Sequence, residues 1–174
     1  MYLASSAYSD RSEAVYISTM TEHDLLEVVE IEEHSGLSRW GWAAYYAELQ
    51  GSNRGLMLVA RVAGPLEQIK TDQIAGYIVA RLAANELHIN NVAVRAGYQR
   101  RGIGSALLAR ILEEGQRLHA TAAFLEVRAG NSLAQELYEK CGFRGVGRRR
   151  SYYSAPLEDA LIMSAQLKQL KRNA

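Results

Sequence analysis

Cysteine, proline and tryptophan are nearly missing from this 174-residue chain, which has one Cys, two Pro and two Trp. The lone thiol, Cys141, excludes an intrachain disulfide and fits a reducing compartment, so the cytoplasm is the expected location. An excess of one charge is missing too. Twenty Lys and Arg stand against 19 Asp and Glu, for a net charge of +1. That balance gives no global electrostatic reason for a nucleic-acid or anionic-membrane partner. No apolar run approaches the ~20 residues of a membrane helix; Leu56 to Ala60 stops at Arg61. The first residues carry Asp10, Arg11 and Glu13 without an apolar core or cleavage site, so no secretory signal is expected. His23, His34, His88 and His119 lack metal-ligand spacing and have no Cys cluster beside them, so no metal is expected.

What remains is an ordinary globular composition, 48% apolar and 22% charged. Residues 1–13 have no period and are expected to be a flexible extension, residues 14–168 one domain, and residues 169–174 a polar tail. Ala14 to Thr19 alternates as a strand. Thr21 and Asp24 form a capping box that opens a helix through Glu33. Ser38 is the expected cap of a second helix carrying Trp42, Tyr45, Tyr46 and Leu49. Three β-type runs, Leu56 to Ala63, Ile74 to Leu82 and Leu87 to Val94, read as an antiparallel meander. An amphipathic helix follows, with Ile103, Leu107, Leu108, Ile111, Leu112 and Leu118 on one face. Then come a strand at Ala122 to Arg128, a helix from Asn131 to Lys140 ended by Gly142, and strands at Phe143 to Tyr153 and Asp159 to Leu167.

The most informative stretch is Gln99-Arg100-Arg101-Gly102-Ile103-Gly104, between a strand and a helix. A helix start offers unpaired N–H groups and a positive dipole end, which suit a phosphate. Gly102 and Gly104 let such a group approach the backbone, and Arg100 and Arg101 add charge. A plain surface loop has the same composition, so the loop by itself leaves both readings open.

Four motifs in one order narrow the choice. Asn90-Asn91-Val92-Ala93-Val94 before Q-x-x-G-x-G, then Leu125-Glu126-Val127-Arg128-Ala129-Gly130-Asn131, Leu137-Tyr138-Glu139-Lys140-Cys141-Gly142-Phe143, and Arg149-Arg150-Ser151-Tyr152-Tyr153 with Asp159 to Met163 resemble the GNAT superfamily of acyl-CoA-dependent N-acyltransferases. Within it they resemble the RimI-type ribosomal-protein-alanine acetyltransferases, closely from Leu87 to Met163 and loosely before. The resemblance implies an α/β fold with a twisted, mostly antiparallel sheet containing a splayed parallel pair, flanked by helices.

It also implies roles. Val92, Ala93 and Val94 would bind the pantetheine of acetyl-CoA through their backbone and polarise the thioester carbonyl. Gln99, Arg100, Arg101, Gly102, Ile103, Gly104 and Ser105 would wrap the pyrophosphate, and Asn131 would reach the cofactor or cap its helix. Glu126 would be the general base and Tyr138 the acid for the departing thiolate. Without the resemblance, Glu126 reads equally as a structural partner of Arg128 and Tyr138 as core. Cys141 reads as a small buried residue rather than an acyl relay. Arg148, Arg149, Arg150, Tyr152 and Tyr153 would frame the peptide's N-terminus, with Glu32 and Glu33 as a weaker attraction for a cationic peptide. The implied reaction is acetylation of the N-terminal alanine of a small-subunit ribosomal protein, with no direct nucleic-acid partner; the oligomeric state is left open, a monomer being plausible. Arg39-Trp40-Gly41-Trp42 departs from the Pro-Trp expected on the acceptor side, and the link Ala63 to Gln73 is longer than a tight hairpin needs. Other acceptors (different N-termini, lysine, a small amine) therefore stay open, as does a non-catalytic acyl-CoA-binding subunit.

Overall fold

Among the described residues there are seven strands, β1 (Val15–Thr19), β2 (Gly55–Val62), β3 (Gln73–Ala83), β4 (Glu86–Val94), β5 (Ala122–Arg128), β6 (Arg144–Ser154) and β7 (Leu157–Gln166), built on alternating or continuous apolar runs except for the polar, arginine-rich β6. Four helices accompany them, α1 (Leu25–Glu33), α2 (Gly41–Gln50), α3 (Ile103–Arg117) and α4 (Ser132–Lys140). The computed structural model describes residues 14–51, 55–63 and 73–168. The expected N-terminal extension, the polar tail and residues 64–72 of the long link lie outside the described residues.

The strands form one sheet in the order β1-β2-β3-β4-β5-β7-β6. Every pairing is antiparallel except β4 with β5. Side chains of the two sheet faces enter two separate cores. On one face Leu87, Ile89, Leu125 and Val127 pack with Leu107, Leu108 and Ile111 of α3 and Tyr138 of α4. On the other, Val59, Tyr77, Val79 and Ala93 pack with Leu25 and Val28 of α1 and Tyr45 of α2. Leu107, Leu108 and Ile111 are fully buried, and burying such a side chain is worth roughly 1.5–3 kcal/mol. Leu118, expected on the same stripe, lies beyond the helix end and is 42% exposed.

The parallel pair is short. Glu86 to Ile89 pair with Ala122 to Leu125, and there the contact ends. From Asn90 onward β4 stays bonded to β3 but not to β5. The separation coincides with a β-bulge: Val79 faces Asn91 and Ala80 faces Ile89, so Asn90 has no opposite number on β3. A bulge bends its strand and inverts the alternation beyond it. Leu87 and Ile89 therefore share the α3 face with Val92 and Val94, while Asn91 and Ala93 turn to the α1–α2 face. Simple alternation along Glu86 to Val94 does not foresee this switch.

Gly76 of β3 secures the far end of β4. A Cβ at Gly76 would lie 2.7 Å from the Ala93 carbonyl oxygen and 3.2 Å from Val94 Cα. Both are backbone atoms that cannot rotate aside. Gly76→Ala is expected to destabilise the protein by about 1–3 kcal/mol, lowering Tm by roughly 3 °C per kcal/mol in a thermal melt. An unchanged Tm would show that β4 shifts without cost.

Candidate active site

The gap between β4 and β5 opens into a cleft of about 1120 Å³, enough for a cofactor-sized ligand beside a second substrate. On one side lie the glycine loop and the start of α3. Arg100 and Gly102 adopt left-handed φ values of +63° and +80°. Gly102 is the residue before α3 and brings no side-chain cap, so the first N–H groups of the helix are left for another acceptor. The space where a Cβ of Gly102 would point is open. These features suit an anion with several oxygens, and they fit the pyrophosphate of an acyl-CoA.

Gly104, which lines the cleft, has a packing task as well. A Cβ there would meet Leu137 Cδ2 at 3.1 Å, so its small size lets α4 pack against α3. Gln99 donates from Nε2 to the Val94 carbonyl at 3.1 Å and ties the loop back to β4. Val92, Ala93, Val94, Gln99, Arg100, Gly102, Ile103, Gly104, Ser105 and Asn131 all line the cleft. Arg101 is the exception. It does not line the cleft, and its guanidinium carbon lies 5.1 Å from the centre of the Tyr98 ring. Asn131 caps α4, its Oδ1 accepting from Ala134 N–H at 3.1 Å, so its NH2 group is what it has left to offer a ligand.

Glu126 and Tyr138 reach this cleft from opposite faces of the sheet. Ala123, Leu125 and Val127 point into the α3 core, which puts Phe124, Glu126 and Arg128 on the other face. Tyr138 comes from α4 on the α3 side and is buried. Both line the cleft because it runs through the gap in the sheet. Glu126 does not pair with Arg128. Arg149 of β6 pairs with Glu126, its Nε 2.6 Å from Oε1, and Tyr152 also lies beside the carboxylate. Arg128 instead binds Glu158 at 3.2 Å and lies over the Tyr153 ring, 4.2 Å from its centre. Burial pushes the Tyr138 phenol up, with Tyr153 and Cys141 adding to the shift, so the phenol keeps its proton well beyond neutral pH. Burial raises the Cys141 thiol, partly offset by a hydrogen bond with Ser105, and Cys141 does not line the cleft. Both facts disfavour a reactive thiolate.

The opposite wall is the α1–α2 loop, where His34 to Ser38 and Trp40 face the cleft. Here two expectations are corrected. Ser38 does not cap α2. The cap is Glu32, whose carboxylate accepts from the N–H groups of Trp40 at 2.8 Å and Gly41 at 2.9 Å. Glu32 is 1% exposed and hence is not a surface attraction for a cationic peptide, although Glu33 is exposed. One signal for this was present in the sequence: Glu32 lies four residues after Val28 and seven after Leu25, on the apolar stripe. Among the described residues no group of His, Cys, Asp or Glu is placed to hold a metal, and no helix is long and apolar enough to cross a membrane.

Comparison with known proteins agrees with this geometry. The model of the acetyltransferase (GNAT) family matches residues 25–143. The ribosomal protein bS18-alanine N-acetyltransferase of Salmonella typhimurium is 30% identical over 150 residues, 85% of this chain and 95% of that protein. The crystal structure of the ribosomal-protein-S18-alanine N-acetyltransferase from Escherichia coli superposes with a TM-score of 0.76 at 28% identity, covering 92% of this chain and 99% of that one. Ard1 from Thermoplasma volcanium gives 0.78 at 25% identity, covering 90% and 99%. With a family match over most of its length, the chain belongs to the GNAT family of acetyltransferases.

Proposed function

We propose that this protein transfers the acetyl group of acetyl-CoA to the α-amine of an N-terminal alanine on a ribosomal protein, by direct attack in a ternary complex. The family makes it an acetyl-CoA-dependent acyltransferase, and the names of its relatives point to the acceptor. The observation that carries the mechanism is the cleft through the sheet, which presents Glu126 and Tyr138 to one space from two faces. The catalytic unit is residues 14–168, and the reaction is placed in the cytoplasm with the ribosomal protein as its protein partner.

Acetyl-CoA supplies an activated thioester. The N–H groups opening α3 and those of the glycine loop hold its pyrophosphate, and the backbone of Val92 to Val94, unbonded to β5, is free to bind the pantetheine. An N–H there directed at the thioester oxygen stabilises the charge that develops on it, a contribution of about 3–4 kcal/mol in comparable sites. An α-amine has a pKa near 8 and is mostly protonated at neutral pH. Glu126 takes its proton directly or through a water. Arg149 lies beside that carboxylate, its Nε 2.6 Å from Oε1. Tyr138 keeps its proton at working pH and is a hydrogen-bond donor for the leaving sulfur. A lysine ε-amine, with a pKa near 10.4, is a poorer match for the same base.

Intact-mass measurement on an Ala-initiated basic peptide and its N-terminally blocked, lysine-bearing twin tests the acceptor. One acetyl on the first peptide alone is expected; acetylation of the blocked twin would make the enzyme lysine-directed. Glu126→Gln is expected to lower kcat at neutral pH by about 10²-fold, with partial recovery at high pH where the amine deprotonates unaided. An unaltered rate would remove Glu126 as base. The raised phenol of Tyr138 makes a further expectation. Its stabilising effect is complete below the ordinary tyrosine pKa of about 10 and fades as pH climbs above it, because the unfolded chain then loses a proton the folded one retains. Tyr138→Phe should therefore leave the near-pH-10 step of an ultraviolet tyrosine titration undiminished. A smaller step would show Tyr138 to be an ordinary exposed phenol.

A further inference from the structure

Glu32 is a fully buried carboxylate that the chemistry of the cleft does not use. It sits at the C-terminal end of α1, where the helix dipole opposes a negative charge, and burial adds to that cost. Three donors compensate. Oε1 accepts from Trp40 N–H at 2.8 Å and from the Tyr45 hydroxyl at 2.7 Å, and Oε2 accepts from Gly41 N–H at 2.9 Å. Trp40 and Gly41 are the first groups of α2, so the positive end of one helix meets the acid from the other. The same Glu32 also accepts at its backbone carbonyl from the Ser35 N–H and hydroxyl. Between these anchors runs the loop that walls the acceptor end of the cleft.

The network continues. The Tyr45 hydroxyl, having given its proton to Glu32, accepts from Asn91 Nδ2 at 2.8 Å and meets the Tyr77 hydroxyl at 2.9 Å. Asn91 directly follows the bulged Asn90 and precedes Val92 to Val94. Its side chain points to the α1–α2 face because of that bulge. One connected set of buried hydrogen bonds thus joins the acceptor wall to the strand that carries the acyl-donor site.

Building on the acetyltransferase reading above, we propose that Glu32 is a positioning residue for the acceptor: through Trp40, Gly41 and the Tyr45–Asn91 link it holds the α1–α2 loop at a fixed distance from the β4 edge, so that the incoming amine and the thioester meet in register. Glu32 touches neither substrate. A plain helix cap would lower stability when removed but would not discriminate between the two substrates. A positioning residue would act on the acceptor alone.

The test compares wild type with Glu32→Gln by steady-state kinetics on the Ala-initiated peptide, calorimetric titration of acetyl-CoA, and amide hydrogen exchange over residues 34–41. Glutamine keeps the shape but turns an NH2 toward an N–H donor. Expected are an acceptor KM raised about tenfold, the scale of one weakened charge-assisted hydrogen bond, faster exchange at Trp40 and Gly41, and an unchanged acetyl-CoA Kd. Faster exchange with an unchanged acceptor KM would overturn the proposal and leave a structural cap. Acetyl-CoA affinity falling in step with acceptor affinity would overturn it too. Should Glu32→Gln not fold, Tyr45→Phe removes one donor and the link to Asn91 at almost constant volume, and the same split between acceptor and donor decides. If wild type ignores the alanine peptide but acetylates the blocked lysine twin, the acceptor assignment fails by itself, and the KM of the twin becomes the readout for Glu32.

Discussion

A continuous sheet is a barrier: groups on its two faces cannot act on the same bond. The separation of β4 from β5 after Ile89 removes that barrier at one place, and the rest of the molecule is arranged about it. Glu126 belongs to one face and Tyr138 to the helical layer behind the other, yet both open onto the same cleft. The extra residue at Asn90 does the local work. It frees the backbone of the next four residues on the β5 side while β3 still holds them on the other. Gly76 and Arg95 maintain that hold. Gly76 lets β3 approach without a Cβ, and Arg95 bonds the Ile74 carbonyl at 3.1 Å and pairs with Glu27 and Glu30 of α1.

The α/β order, the meander, the glycine loop and the Asn131 cap were legible because each rests on local rules: alternation, caps and glycines at a strand-to-helix turn. Gly102 was legible as a point where a ligand can approach the backbone; its φ of +80° is a second reason for glycine there, and it came from the structure. Partnerships made at long range were not legible in the same way. Whether Glu126 would meet Arg128, two residues away, or Arg149 on a strand two positions across the sheet depends on the twist and register of the β6–β7 hairpin. Ser38 looked like the cap of α2 because caps are usually local; a carboxylate nine residues upstream took the role once tertiary packing brought it there. The bulge was hidden for another reason. Glu-Leu-His-Ile-Asn-Asn-Val-Ala-Val alternates plausibly in either parity, and only the pairing with β3 decides where the phase changes.

Electrostatics in the cleft follows the same division of labour. Glu126 keeps a guanidinium and a phenol for company and sits at the more open side, while Tyr138 is enclosed by apolar neighbours and stays neutral. Burial thus keeps a phenol neutral on one side of the cleft, while a carboxylate and a guanidinium pair on the other.

β6 closes one margin of the sheet and is exposed along nearly all its length. A bare strand margin is a template on which a second chain can add. Here Arg144, Arg148, Arg149 and Arg150 crowd that margin with like charge, and two register breaks, between Gly145 and Gly147 and between Arg149 and Tyr153, keep it from lying flat. Asp159 fixes the second break by accepting from Ser151 N–H at 2.8 Å and binding Arg148 at 2.7 Å. Of these four arginines Arg149 is the one that lines the cleft, and together they set like charge against a second strand. Stripping them to probe substrate recognition would expose a sticky seam, and loss of activity in such variants would have to be separated from self-association.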